Sequence, residues 1–135
     1  GEVGCLHMLI DLVEGRHFKV DDRVRDWACR ALCNACMQCH SNKSLLVELA
    51  GVAPLLHLLE WVDDDRTILH CTRALATLAY LNPYASQQFM QYSADVVLVH
   101  VLDCHDIIHM PALIEAVMWT LSNLCSTPLA QSKQE

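Results

Sequence analysis

The sequence predicts an all-α fold, a right-handed α-solenoid of three-helix repeats, and three observations predict it. The first is self-similarity. Ala28-Cys-Arg-Ala-Leu-Cys-Asn34, Cys71-Thr-Arg-Ala-Leu-Ala-Thr77 and Val117-Met-Trp-Thr-Leu-Ser-Asn123 are near-copies that begin 43 and then 46 residues apart. That falls inside the roughly 40–47-residue period of two- and three-helix repeats. The second is periodicity: apolar residues recur at helical spacing of three and four, and no strand-like alternation competes. The third is composition. With only four Gly and four Pro in 135 residues, long helices are uninterrupted. Hydrophobic residues reach 53% and charged ones 19%, against about 45–50% and about 25% in average soluble domains. An apolar excess suits units that touch only their neighbours and whose end faces would be covered by further units.

The elements follow in order. Residues 2–14 are apolar enough for a mostly buried helix, which Gly15 closes. Asp21 and Asp22 provide cap and dipole signals for a long helix to about Cys39, with Val24, Ala28, Ala31, Leu32 and Ala35 on its apolar face. Ser41-Asn42 is expected to break and recap the chain, starting a short helix over 43–50 that Gly51 stops. A helix over 52–62 comes next, and Asp63-Asp64-Asp65 opens another long one to about Leu81. The order short, medium, long then recurs over 84–92, 94–103 and a helix with Pro111 in its first turn that ends near Cys125. The chain thus divides into a partial repeat at 1–40, repeats at 41–82 and 83–126, and a polar tail at 127–135 that would begin a further unit. The first residue is not Met, as expected of a fragment of a longer chain.

Charge and cysteine usage narrow the function classes. A net charge of −7 without any Lys/Arg-rich run argues against nucleic acid, whose binding draws on phosphate neutralisation. No apolar run reaches the ~18–20 residues needed to span a bilayer. No signal-peptide pattern is present, and four of the eight cysteines (Cys29, Cys33, Cys36, Cys39) share one helical segment. Both features point to a reducing, intracellular setting, cytoplasmic or nuclear.

The motifs resemble the armadillo repeat family. Gly51-Val-Ala-Pro-Leu-Leu-His-Leu-Leu59 is similar to the family's second helix, and Trp119-Thr-Leu-Ser-Asn-Leu-Cys125 resembles the third helix of importin-α-type repeats. HEAT-like stacking is the alternative arrangement. The resemblance covers nearly the whole chain. It implies a concave groove lined by third helices, in which an asparagine hydrogen-bonds the backbone of an extended peptide and a tryptophan one turn earlier packs its side chains.

Carried onto this chain, the asparagine position holds Asn34, Thr77 and Asn123, and the tryptophan position holds Arg30, Arg73 and Trp119. One turn further back lie Asp26, Leu69 and Glu115. Only Trp119 with Asn123 keeps the full pair, whereas an import receptor needs several. Arg30 and Arg73 put cations on neighbouring repeats that could pair with acidic or phosphorylated groups. Glu115 beside Trp119 could hold a basic side chain. The candidate peptide-binding residues are therefore Arg30, Asn34, Arg73, Thr77, Glu115, Trp119 and Asn123. The competing reading is that Asn34 and Asn123 bridge helices while the arginines form solvated ion pairs.

Other constellations are weaker. Cys36-Met-Gln-Cys39-His40 satisfies the c-type haem pattern C-x-x-C-H, but Cys36 aligns with Ala79 and Cys125 at a small-residue packing position. Zinc would need four converging ligands, whereas positions 29, 33 and 36 spread about 10 Å along one helix. Buried structural thiols fit better, with no metal and no cofactor. His7, His57 and His100 recur on the second helices at positions expected to be half-exposed. Trp27, Trp61 and Met118 read as packing residues. No catalytic motif appears, so a non-enzymatic interaction scaffold is expected. The alternative is a structural segment that packs on neighbouring domains or on a second copy, with a cysteine-based metal or redox sensor a distant third.

Overall fold

A computed structural model describes residues 2–15, 20–104 and 106–126. Among the described residues there are eight α-helices and no strand: α1 (Glu2–Glu14), α2 (Asp22–Cys36), α3 (His40–Glu48), α4 (Val52–Trp61), α5 (Asp65–Ala79), α6 (Pro83–Gln91), α7 (Ala94–Cys104) and α8 (Pro111–Cys125). A 3₁₀ turn, Ile107–His109, precedes α8. The polar tail beyond Ser126 lies outside the described residues.

Local chemistry sets the boundaries. The side chain of Asp21 accepts from the Val24 N–H at 3.0 Å to start α2, and Asp64 does the same for Thr67 at 2.9 Å to start α5. Pro83 and Pro111 open α6 and α8, where a missing N–H costs nothing. Gly15 ends α1 in the left-handed region at φ +68°. The later turns use other residues: Gln38 and Leu81 (φ 54° and 52°), then Ala50 and Ser93 (φ 60° and 53°), each pair 43 positions apart. The backbone repeats even where glycine does not. Gly51 is needed for space, because a Cβ there would lie 2.6 Å from Leu46 Cδ1.

One boundary differs from expectation. Ser41 and Asn42 do not break the chain; they lie inside α3, and the break falls at 37–39, where α2 has already ended at Cys36. Asn42 Nδ2 instead reaches back to the Ala35 carbonyl at 2.7 Å, satisfying a C-terminal acceptor of α2. Lys43 acts similarly on the next unit. It is buried, donates Nζ to the Tyr80 carbonyl at 2.8 Å, and lies 5.1 Å from the Tyr80 ring centre. Burial lowers its pKa from the ordinary lysine range.

Like helices pack on like. The 15-residue helices α2, α5 and α8 form one row, with α5 in the middle. The helices α1, α4 and α7 form a second row, and α3 packs on α6 outside them. Ala28, Ala74, Ala76, Ala79 and Ala116 are buried in the first row, where small side chains let backbones approach. Leu46, Leu55, Leu58, Leu75, Leu78, Phe89 and Leu98 fill the space between rows. Among the described residues no single helix is long and apolar enough to cross a membrane.

Candidate interaction face

Aligning α2, α5 and α8 places the third-helix positions in neighbouring columns, and their environments diverge. Arg30 is partly buried. Its Nε lies 3.6 Å from Asp26 Oδ1 and 3.3 Å from His70 Nδ1, and its guanidinium stacks 4.7 Å from the Trp27 ring centre. His70 Nδ1 also contacts Asp26 Oδ1. One ring nitrogen cannot donate to the carboxylate and accept from Arg30 together. Charge favours His70 Nδ1–H donating to Asp26, with Arg30 closing on the carboxylate from the other side.

Asn34 is exposed and its amide makes no hydrogen bond among the described residues. Arg73 is exposed and has no ion-pair partner among them. Together with Trp27, Met37 and His70, residues Arg30, Asn34 and Arg73 line a cleft of about 420 Å³ between α2 and α5. The other four candidates stand outside it. Thr77 is buried, with Oγ1 3.4 Å from Cys33 Sγ. Glu115 and Trp119 are exposed on α8. Asn123 spends its amide on a helix bridge, donating Nδ2 to the Ala76 carbonyl at 2.8 Å. Among the described residues the sequence-level alternatives thus divide by position: Asn123 bridges helices, Asn34 does not, and of the two arginines only Arg30 has an ion-pair partner there.

Trp27 corrects an expectation. It was read as a packing residue, but it is 63% exposed and forms one wall of the cleft. A Trp at i−3 from Arg30 was the available signal, since these positions neighbour one another on a helix. Trp61 (47% exposed) likewise sits at the surface, under the Arg25 guanidinium at 4.8 Å, and Met118 is exposed on α8. His70 and Met37 were not singled out; nothing in spacing alone marked them.

The cysteines spread over several environments. Cys29, Cys36 and Cys71 are buried, Cys33 and Cys39 half-buried, and Cys5, Cys104 and Cys125 exposed, all as free thiols. Burial pushes the Cys36 thiol up to about 12, and burial beside Cys29 raises Cys71 well above the usual range. Both therefore stay protonated at neutral pH, the inert form. Among the described residues no three His, Cys, Asp or Glu side chains are placed to hold one metal ion. His7, His57 and His100 are exposed, and each makes a local contact, to Asp11 at 3.4 Å, Glu60 at 3.4 Å and Cys104 at 3.3 Å.

No protein-family profile and no curated protein matches the chain. Among solved structures it is similar to the crystal structure of an engineered protein, with a TM-score of 0.78 and 24% identity over 91% of this chain and 46% of that one. The chain therefore spans less than half the length of that protein. The likeness speaks to the all-helical fold alone.

Proposed function

We propose that the chain is a segment of an armadillo-like right-handed α-solenoid (HEAT-like stacking being the alternative arrangement) and serves as a non-enzymatic interaction scaffold. Its ligand is an extended protein segment lying across α2 and α5, acidic or phosphorylated where it meets Arg73, and basic or apolar where it continues toward Glu115 and Trp119. Row-on-row packing of like helices supports the solenoid reading. The observation that carries the binding reading is Arg73, a guanidinium exposed in a cleft and without a carboxylate partner among the described residues, in the same cleft as Asn34, whose amide is unengaged among them. Arg30 is already committed to Asp26, so it shapes the wall and Arg73 supplies the charge. A planar fork of donors suits carboxylate or phosphate, and an amide suits a peptide backbone.

Fluorescence anisotropy with a labelled ten-residue peptide of alternating Glu and phosphoserine provides the test. Arg73→Glu combined with Asn34→Ala should weaken binding at least ~10-fold, the equivalent of about 1.4 kcal/mol, and added salt should weaken the wild-type complex. Affinity unchanged by the double variant would remove the cleft from consideration.

A further inference from the structure

The lining of the cleft between α2 and α5 runs against the composition of the chain. The sequence holds 16 Asp and Glu against 9 Lys and Arg. Two of those cations, Arg30 and Arg73, line this cleft, and among the described residues no carboxylate does. Much of the remaining wall is apolar, from Trp27, Ala31 and Met37. Trp27, Arg30, Asn34 and Met37 follow one another at spacings of three, four and three, which places them in one stripe along α2 and its C-cap. From first to last the stripe rises about 15 Å. The cation and the amide therefore sit mid-stripe, with a large exposed apolar side chain at each end.

That lining discriminates between anions. A cleft of about 420 Å³ falls within the ~300–1,000 Å³ of pockets that enclose a whole small molecule. A lone carboxylate or phosphate group occupies only a small part of it. Asp, Glu and phosphoserine carry their charge on one or two methylenes, so with such an acid on Arg73 the apolar walls stay in water. We infer that the anion taken here is phosphotyrosine, its phosphate on the Arg73 fork and its ring against Met37 and Trp27. The inference rests on the anion-binding reading of the cleft and narrows it to an aromatic phosphate. A planar guanidinium gives a phosphate two parallel N–H bonds, and Arg73 has no carboxylate among the described residues to compete for them. A thioether favours the edge of an aromatic ring, and an indole favours offset or edge-to-face contact with one. Trp27 is held for that role by the Arg30 guanidinium, 4.7 Å from its ring centre. Only two side-chain torsions of the tyrosine are frozen, so little entropy opposes the contact. The Asn34 amide then serves the peptide backbone beside the ring.

Fluorescence anisotropy on the whole chain tests it, with labelled nine-residue peptides of Gly and Ser that differ only at the central residue. That residue is phosphotyrosine, phosphoserine, Tyr or Glu. Wild type should hold the phosphotyrosine peptide at least ~10-fold tighter than each of the others. Arg73→Glu should weaken that complex at least ~10-fold. Trp27→Ala with Met37→Ala should cut the preference for phosphotyrosine over phosphoserine to within ~3-fold. Met37→Ala alone, at a position 54% exposed and so replaceable in the folded chain, should narrow it in the same direction. Phosphoserine bound as tightly as phosphotyrosine, with both weakened by Arg73→Glu, overturns the inference and leaves anion capture by the cleft standing. Tyr bound as tightly as phosphotyrosine overturns it too, and so does a preference that survives both apolar variants. A wild type that binds none of the peptides overturns this inference and the cleft reading together.

Discussion

Helix α5 meets α2 across a seam of ionisable and hydroxyl side chains and meets α8 across a seam of neutral ones. On the α2 side are His70 with Asp26 and Arg30, and Thr77 with Cys33. On the α8 side, Asn123 reaches the Ala76 carbonyl and Thr120 lies 3.5 Å from the Thr72 carbonyl. The helices are equivalent and their packing is shared, so the contrast is a matter of substitution. Where the first seam pairs Asp26 with His70, the aligned positions at the second hold Leu69 and Ala116. Burying alanines and leucines is enough to hold two helices together, which makes the charged network at the first seam an addition to packing. Two of its members, Arg30 and His70, also line the cleft that holds Arg73, where the proposed recognition would draw on preorganised charge.

The sharpest way to break the contrast is His70→Leu. Asp26 is nearly buried, its side chain 10% exposed. Without the imidazole, its carboxylate keeps only the more distant Arg30. We expect a loss of about 2–3 kcal/mol, below the full cost of an orphaned buried charge because Arg30 remains and part of the pair meets solvent. It would be read as a lowered urea midpoint at unchanged m. A cost under about 0.5 kcal/mol would mean that both seams rest on packing alone.

Next in size is the cap of the shared helix. The Thr67 hydroxyl donates to Asp64 Oδ2 at 2.7 Å and its N–H at 2.9 Å, and these two bonds hold the Asp64 carboxyl below its ordinary 3.8. A carboxyl with a depressed folded pKa contributes stability that is present above 3.8 and lost as pH falls through the folded value. Asp64→Ala should therefore cost about 1 kcal/mol at neutral pH. It should also flatten the stability profile below 3.8. Thermal melts of both proteins from neutral pH down into that acid range would show it. Helix α8 has no side-chain cap at Met110, so no equivalent acid sensitivity arises there.

How much of this was legible follows the same division. The rows of helices follow from period and apolar spacing, because Ala28, Cys71 and Val117 must be buried whatever else varies. Asp21, Asp64 and Pro111 announce helix starts and Gly15 announces a stop, since their chemistry is local; Gly51, expected to stop α3, is instead the N-cap of α4, and the left-handed turn before it falls on Ala50. The cleft was half legible. Arg30, Asn34 and Arg73 lie on motif positions, but whether an amide there is open or bridged depends on the carbonyl of the adjacent helix, and Asn34 and Asn123 give opposite answers. Trp27 and His70 were missed because each acts across the seam: His70 matters only through Asp26, 44 positions away. Asn42 read as a start signal and is a stop, since an amide can serve either end.

The smallest expected effect tests the neutral seam. Thr120 is buried, and its hydroxyl donates to the Ala116 carbonyl of its own helix at 2.8 Å, with the Thr72 carbonyl 3.5 Å away. The shorter bond is local to α8, so the contact across the seam is a marginal one. Thr120→Val keeps the branched shape and removes only the hydroxyl. If packing holds α5 to α8, the urea midpoint should correspond to a change within about 0.5 kcal/mol of wild type in either direction. A loss above about 1.5 kcal/mol would show instead that the hydroxyl ties the two helices together. The two seams would then differ in charge but not in their dependence on polar contacts, and the Asp26–His70–Arg30 network would lose its standing as the feature that sets the first seam apart.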